Sequence, residues 1–454
     1  MKKHISFLII LSLVLVPIIT YSADADNEFV AVKIGKNNNI TDNVELFSES
    51  GFSLYEKYDL EREVYEIPDE KIIISIDNNE IDILDTSYDL ITSIPGDGSL
   101  VIGSNGYNDS IVKVGENRYR DYITFIIKGD IYYTINYINI EKYLLGVVPR
   151  EMGSNFPIEA LKAQAIVARS FTYVNINKHM NEGYNLCDTT HCQVYGGYDN
   201  ENDNTTQAVL ETNGEYVTYN DEIIETPYHS TSGGYTESSK SVWGGEFPYL
   251  VAVEDSFSSN SPNSSWQFQI TAAELQSKLL SSGINIGDIQ DVMLLDTSET
   301  NRVLNVKIVG TSGEKTISGN QFRDIVGATS LKSTLFDIER NGGSSNSSKV
   351  YVIDGDSFHP NEIDASNAYI IDGKENKGAN RGTVSRAIDA DRTSNIGSNT
   401  YNSKSLNFVF DGKGYGHGVG MSQYGAMEMA KQGYNYKEII THYYSGVKIK
   451  NIDK

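Results

Sequence analysis

The sequence predicts an α+β protein in which a strand-rich N-terminal part leads into a mixed core. Three observations predict it. Apolar and polar residues alternate, with β-branched enrichment, from Phe29 to about Asn117 and again up to Ile140. One long stretch after Pro157, IEALKAQAIVARSFTYV, repeats small and apolar residues at helical spacing instead. Two glycine-rich polar blocks, at 229–234 and 412–426, mark loops where backbones must approach closely. A chain of 454 residues is long enough for two or three domains, and 39% hydrophobic against 22% charged residues is a globular composition. The net charge of −24 disfavours nucleic acid and anionic membrane surfaces as partners.

Taken in order, residues 1–25 read as an export signal. Lys2 and Lys3 form a charged start, Ile5 to Thr20 an apolar run, and Ala23-Asp24-Ala25 a small-x-small cleavage site. The run is short for a spanning helix, which needs about 20 apolar residues. It is therefore a cleaved signal or, as the alternative, an uncleaved anchor, which would be the chain's one tie to a membrane. Either way the protein is expected outside the cytoplasm, secreted or anchored. Residues 26–117 are the β-rich region: FVAVKIG, KIIISID, EIDILD and SLVIGS read as strands, and NNN, GDG and NGYND as turns. DYITFIIKG and DIYYTINYINI continue the strands around a Gly129-Asp130 hairpin signal. The core is assigned to 118–340 and 406–454. Within it Thr271 and Glu274 form a capping box that opens a helix, and neither that helix nor the short one at GNQFRDIVG carries chemistry. Residues 341–405 are rich in Ser, Asn, Gly and Asp. VYVIDGD and AYIIDGK repeat within them, and the segment reads as a flexible β-hairpin insert.

The stretch that the rest serves is YLLGVVPREMGSNFPIEALKAQAIVARSFTYV, residues 143–174. It holds one carboxylate, Glu151, between Leu144, Leu145, Val147, Val148 and Met152. Pro149 disfavours helix at Val148, which puts Glu151 on a loop leaving a strand. Pro157 suits the first turn of the following helix, which runs to about Lys178 or His179. A carboxyl in an apolar setting has its charged form disfavoured and its pKa raised, as a general acid near neutral pH requires. The bland alternative is a solvated glutamate beside Arg150.

VPREM at 148–152 with EALKAQAIVARSFTY at 159–173, HSTSGGYTESS at 229–239 and GKGYGHGVGMSQYGA at 412–426 follow one another in this order. Together they resemble the stage II sporulation protein D family (SpoIID/LytB), over roughly 118–450 apart from the insert. The resemblance implies a SpoIID-like catalytic core with lytic transglycosylase activity on bacterial peptidoglycan, and it puts the catalytic role on Glu151. Such an enzyme cleaves the MurNAc–GlcNAc β-1,4 bond with a single glutamate and leaves a 1,6-anhydro end. A two-carboxylate glycosidase would need a second acidic residue, and none stands in a matching context. The resemblance further implies a groove centred on Glu151 and lined by His229, Ser230, Ser232, His417, Gln423 and Tyr424, with Arg169 completing the substrate-binding set. Trp243 and Tyr249 are candidate sugar-stacking faces. Taken singly, such an aromatic is ordinarily a core residue and a lone histidine is ordinarily structural. The Ser/His pairing at 229–232 does not match the Gly-x-Ser-x-Gly nucleophile pattern.

CDTTHCQVYGG holds the chain's two cysteines, Cys187 and Cys192. In an exported protein they read as a disulfide, as free thiols, or as zinc ligands with His179 or His191. Neighbouring side chains on an extended segment point apart, which counts against His191 beside Cys192. Some family members carry a zinc-binding cysteine pair here and others lack it, so the resemblance implies a structural or site-organising zinc. It also implies peptidoglycan glycan strands as substrate and a cell-wall amidase as a possible partner. The second reading is a non-catalytic, amidase-enhancing wall-binding module. The third, a zinc-dependent wall hydrolase, lacks an HExxH-like pair.

Overall fold

A computed structural model describes residues 29–77, 79–105, 110–341 and 406–452, with three short strand pairs between 349 and 395. The export-signal segment at 1–25 and most of the insert lie outside the described residues. The chain divides into two compact units. One comprises residues up to Glu151 and residues 175–202, and the other residues 152–174 and 203 onward.

The first unit is built on two sheets. Seven strands run in the order Leu186–Cys187, Phe29–Asn39, Ile131–Asn139, Tyr122–Lys128, Leu100–Ser104, Phe52–Glu56, Asp59–Ile67. Six run in the order Asn117–Arg120, Ile111–Val114, Val44–Phe47, Lys71–Asp77, Glu80–Leu84, Leu90–Pro95. Pairing is antiparallel except where Leu186–Cys187 joins Phe29–Asn39 in parallel. Alternation sets the buried face: Ile81 and Ile83 are fully buried on one strand, as are Ile72 and Ile74 on its neighbour. Gly129 takes φ +62° in the predicted hairpin turn, where a residue with a Cβ would be strained.

In the seven-stranded sheet the hairpin of Tyr122–Lys128 and Ile131–Asn139 runs directly into helix α1, Ile140–Glu151. This corrects the expectation of a loop, because Pro149 lies inside the helix and Glu151 ends it. The proline sits in the last turn, where its missing N–H removes a single intrahelical bond. Tyr143, Leu144, Val147 and Val148 are fully buried, and that burial outweighs the local preference against helix at Val148. Asn139 caps the start by accepting the Glu141 N–H at 2.9 Å. Gly146 is required in mid-helix: a Cβ there would lie 2.5 Å from the Tyr195 ring and 3.0 Å from the Gly197 carbonyl oxygen.

The second unit is organised around α2, Ile158–Val174, which stops short of the predicted Lys178. Ala160, Leu161, Ala163, Ala165, Ile166, Val167 and Ala168 are fully buried, so the helix is covered almost all round. Its small side chains let α3 (Asp203–Glu211), the strand Glu215–Tyr219 and two later helices pack closely. A short helix, α4, spans Ser239–Trp243. A distinct core then forms around Phe322, Phe408 and Phe410. It is enclosed by α5 (Ala272–Ser281), α6 (Gly319–Val326) and two three-stranded sheets. The predicted Thr271–Glu274 capping box opens α5. The chain returns through Asn407–Gly412 to α7 (Gln423–Lys431) and α8 (Tyr436–Tyr443). Met421–Ser422 pairs in parallel with Tyr228–His229, which joins the two glycine-rich blocks directly.

Within the insert, Lys349–Val352 pairs with Asn361–Asp364, Tyr369–Ile371 with Lys377–Ala379, and Arg386–Ile388 with Thr393–Asn395.

Candidate functional site

The predicted residues fall into two constellations, one in each unit. The first centres on Glu151. Helix α1 presents its carboxylate half-buried, and Oε1 accepts the Val194 backbone N–H at 3.0 Å. Next to Val194, Gln193 Oε1 lies 3.4 Å from the fully buried hydroxyl of Tyr143. Burial pushes the Tyr143 phenol well up, and the nearby Cys192, Tyr195 and Glu151 add to the effect. It therefore stays a neutral donor beside the carboxylate.

The same segment carries the cysteine block. His179, Cys187, His191 and Cys192 bring one ligand atom each to a common point, all within 4.8 Å of one another. Cys192 Sγ lies 3.4 Å from His179 Nε2 and 3.7 Å from His191 Nδ1, and Cys187 Sγ lies 3.7 Å from His191 Nδ1. Ligands of a tetrahedral zinc at about 2.0–2.3 Å are roughly 3.3–3.8 Å apart, so the donors fit that metal. The surroundings fit too. His179 Nδ1 meets Glu182 Oε1 at 2.9 Å, the carboxylate contact that turns the other ring nitrogen toward a metal. Both cysteines are free and buried. Burial pushes the Cys192 thiol up to about 11, so its thiolate needs a cation alongside. The objection to His191 is removed by the local fold. Residues 190–191 form a turn closed by Cys192 N–H to the Thr189 carbonyl at 3.0 Å, not an extended segment, so His191 and Cys192 converge.

The second constellation joins the two glycine-rich blocks. His229 and His417 have ring centroids 5.6 Å apart, and Trp243 lies 5.2 Å beyond His417. Val419 sets both tautomers. Its carbonyl must accept from His229 Nδ1 (3.1 Å), and its N–H donates to His417 Nδ1 (3.1 Å). His229 is left with an unprotonated Nε2, buried and without a partner among the described residues. Burial, helped by the Arg302 and Arg323 charges, lowers the His417 pKa to about 4, and burial likewise holds His229 well below the usual imidazole range. Both rings are neutral near pH 7. Trp243 is 51% exposed, as a stacking face needs, whereas Tyr249 is buried and belongs to the core.

Other predicted residues sit deeper than a groove lining. Ser232 is fully buried and donates to Asp255 Oδ2 at 2.6 Å. Arg169 is fully buried on α2, with Nη1 on the Glu215 carbonyl at 3.2 Å and Nη2 on the Val209 carbonyl at 3.4 Å. Both brace loops from inside and do not offer themselves to a ligand. Gln423 is buried against Gln164 of α2 at 3.3 Å. Ser230 and Tyr424 are half-buried and joined through the backbone, with the Tyr424 ring 5.4 Å from Phe156. Val194, which acts through its backbone, carries no signal in the sequence, and neither do Arg302 and Glu237, whose environments only the fold creates. Among the described residues no helix is long and apolar enough to cross a membrane.

Residues 128–219 match a family model described as stage II sporulation protein (SpoIID), a range that holds Glu151 and the four residues of the His/Cys cluster. Residues 250–359 match a model described as a domain of unknown function. The amidase enhancer of Bacillus subtilis (strain 168) is 30% identical over 320 residues, covering 67% of this chain. This chain spans only 40% of that relative's length. Stage II sporulation protein D of the same organism is 30% identical over 337 residues, covering 70% of this chain and 77% of that protein. Stage II sporulation protein D of Bacillus amyloliquefaciens is 29% identical over 338 residues, covering 71% of this chain and 77% of that protein. On this likeness the chain belongs to the stage II sporulation protein D family.

Proposed function

We propose that this protein is a lytic transglycosylase of peptidoglycan, acting at the cell wall outside the cytoplasm. The observation that carries the reading is the setting of Glu151. Its carboxylate stands half out of water at a helix end, with one oxygen held by Val194, in a member of this family. Glu151 donates its proton to the glycosidic oxygen as the C1–O4 bond of MurNAc–GlcNAc breaks. The resulting carboxylate faces the positive charge that develops at C1. It then takes the proton of the sugar's own C6 hydroxyl, and O6 closes on C1 to give 1,6-anhydro-MurNAc. No water is consumed and the proton ends on Glu151, so one carboxylate serves both steps.

The neutral His229–His417 pair and the exposed Trp243 offer hydrogen bonds and a ring face to a glycan. Cys187, Cys192, His179 and His191 would hold a zinc ion that supplies a structural crosslink. Four protein ligands leave no open position for a metal-bound water, which argues against the zinc-hydrolase reading. The amidase-enhancer relative supports a second reading, a wall-binding partner of an amidase that does not depend on Glu151.

Incubating the protein with peptide-free glycan strands and identifying the ends by mass spectrometry separates the readings. Anhydro ends that vanish in Glu151→Gln support the transglycosylase. Intact strands from wild-type protein, with stimulation of an added amidase, would establish the second reading in its place.

A further inference from the structure

Arg302 lies outside every motif that carries the family resemblance, yet it reaches the heart of the histidine constellation. The strands Ile289–Thr297 and Val303–Gly310 are joined by a tight tip at 298–302. Asn301 takes φ +64° there, Ser298 N–H bonds the Arg302 carbonyl at 2.8 Å, and Ser298 Oγ accepts the Arg302 N–H at 3.1 Å. The tip is fastened just beyond the first glycine-rich block: the hydroxyls of Ser298 and Thr300 both donate to Glu237 Oε2. Glu237 in turn donates its N–H to the Gly418 carbonyl of the second block at 2.8 Å. From this tip the Arg302 side chain, 1% exposed, sends Nη2 to the Ser232 carbonyl at 2.6 Å. Its guanidinium lies flat on Gly418: a Cβ there would meet Cζ at 2.5 Å, Nη2 at 2.6 Å and Nε at 2.7 Å. One cation thus contacts the residue three beyond His229 and the residue next to His417.

We infer that Arg302 is a positioning residue for the His229–His417 pair, fixing the two loops through Ser232 and Gly418 from a hairpin that the family motifs do not include. The inference rests on the functional reading above only for the pair's role in glycan handling. Two features speak against plain packing. Nε and Nη1 of this buried guanidinium have no hydrogen-bond partner among the described residues, an unfavourable arrangement for a residue kept only for stability. Its charge also faces both rings. His229 is flanked by His417, Arg302 and the Val419 carbonyl, and His417 by Arg302, Arg323, Trp243 and the Tyr228 carbonyl. Glu237 faces Arg302 and tempers its charge without neutralising the effect. A planar fork can bond Ser232 and lie on the Gly418 peptide together, and a lysine can do only the first.

The test uses the full chain with Arg302→Met and Arg302→Lys, checked for folding by thermal melting. Two readouts are taken: the titration and tautomers of His229 and His417 by nitrogen-15 NMR, and kcat and KM on peptide-free glycan. In Arg302→Met the His417 midpoint should climb from about 4 toward the ordinary 6.5, and the acid limb of the rate profile should climb with it. We expect kcat to fall about 10- to 100-fold with KM changed less than threefold. Arg302→Lys should keep the low midpoint and recover part of kcat. A folded Arg302→Met with unmoved titrations and tautomers would overturn the inference. If neither Arg302 variant folds, Thr300→Ala decides, since loosening the tip should move the same titration in the same direction and an unmoved one refutes the inference. If wild-type protein cleaves no glycan while the titrations still shift, the positioning role stands and the transglycosylase reading falls.

Discussion

Replacing Cys192 by serine should cost activity through Glu151, by way of the Val194 backbone that holds the carboxylate. Residues 188–196 are pinned at their ends. Asp188 N–H bonds the Lys33 carbonyl at 3.1 Å and Gly196 N–H the Gly146 carbonyl at 3.1 Å. Between them Tyr195 holds one side of Val194, through its N–H on the Asp188 carbonyl at 3.2 Å and its hydroxyl on Asn136 at 2.8 Å, and the four-donor cluster holds the other, with Cys192 two residues away. A loosened segment would surrender the 3.0 Å bond from Val194 to Glu151. A hydrogen bond to a charged acceptor is worth about 1.5–3 kcal/mol. At 1.36 kcal/mol per tenfold in rate, kcat should fall roughly 10- to 150-fold. Because the ends remain anchored, the melting temperature should fall by only a few degrees. Elemental analysis should find about one zinc per chain in the wild type and much less in the variant. Hydrogen exchange at the Val194 amide reports the coupling without any appeal to activity, and protection there should drop with the metal. A zinc-free variant that keeps that protection, with cleavage within twofold of wild type, would refute the reasoning. A disulfide between Cys187 and Cys192 in metal-free native protein would refute the zinc site itself.

Trp243→Ala removes a half-exposed ring beside His417, so it should raise the glycan KM about tenfold while stability stays within about 0.5 kcal/mol of wild type. Unchanged KM would remove Trp243 from the binding surface. The histidine pair also predicts a pH dependence of stability. A histidine whose folded pKa is lowered is protonated first in the unfolded chain, so the unfolded state binds more protons as pH falls. Stability should therefore decline below about pH 6.5 and go on declining until His417 titrates in the folded protein at about 4. Melting temperatures that are flat across this window would show that the rings are not held neutral by the fold.

How far the sequence revealed this arrangement depended on the range of the physics involved. Strands such as KIIISID and SLVIGS were legible because a half-buried strand must alternate, a constraint that acts within five or six residues. The capping box at Thr271 was legible for the same reason. Pro149 misled because its local preference is weak against the burial of Val147 and Val148, which the whole unit decides. His179 and His191 stand as alternatives in the sequence because strand geometry separates neighbouring side chains, whereas the segment turns and brings both to the cysteines. Ser232 and Arg169 have the polar chemistry of a binding residue, but chemistry does not reveal direction, and both point inward. Arg302 was invisible because its role exists only once a hairpin tip, a serine carbonyl and a glycine 116 positions onward meet.

A glycine of the second block, set against one beyond it, offers a direct test of whether that meeting is structural or functional. Gly420 and Gly433 both have positive φ, +70° and +95°. A Cβ on Gly433 would meet nothing within 4 Å, whereas one on Gly420 would lie 2.0 Å from the Pro227 carbonyl oxygen. Alanine at Gly433 should thus cost only the left-handed conformation, about 1–2 kcal/mol. Alanine at Gly420 must in addition push two backbones apart where Tyr228–His229 pairs with Met421–Ser422. The Tyr444 hydroxyl, which donates to that same Pro227 oxygen at 2.7 Å and accepts the Met421 N–H at 3.2 Å, would be displaced with them. A total beyond about 4 kcal/mol is expected, in the range that marks a specific clash. Melting curves should show at least twice the loss for Gly420→Ala as for Gly433→Ala. Cleavage per folded molecule should fall only in the former, because only there does His229 move. Equal melting losses would mean that the block tolerates the extra methyl, and that close backbone approach is not what its glycines are for.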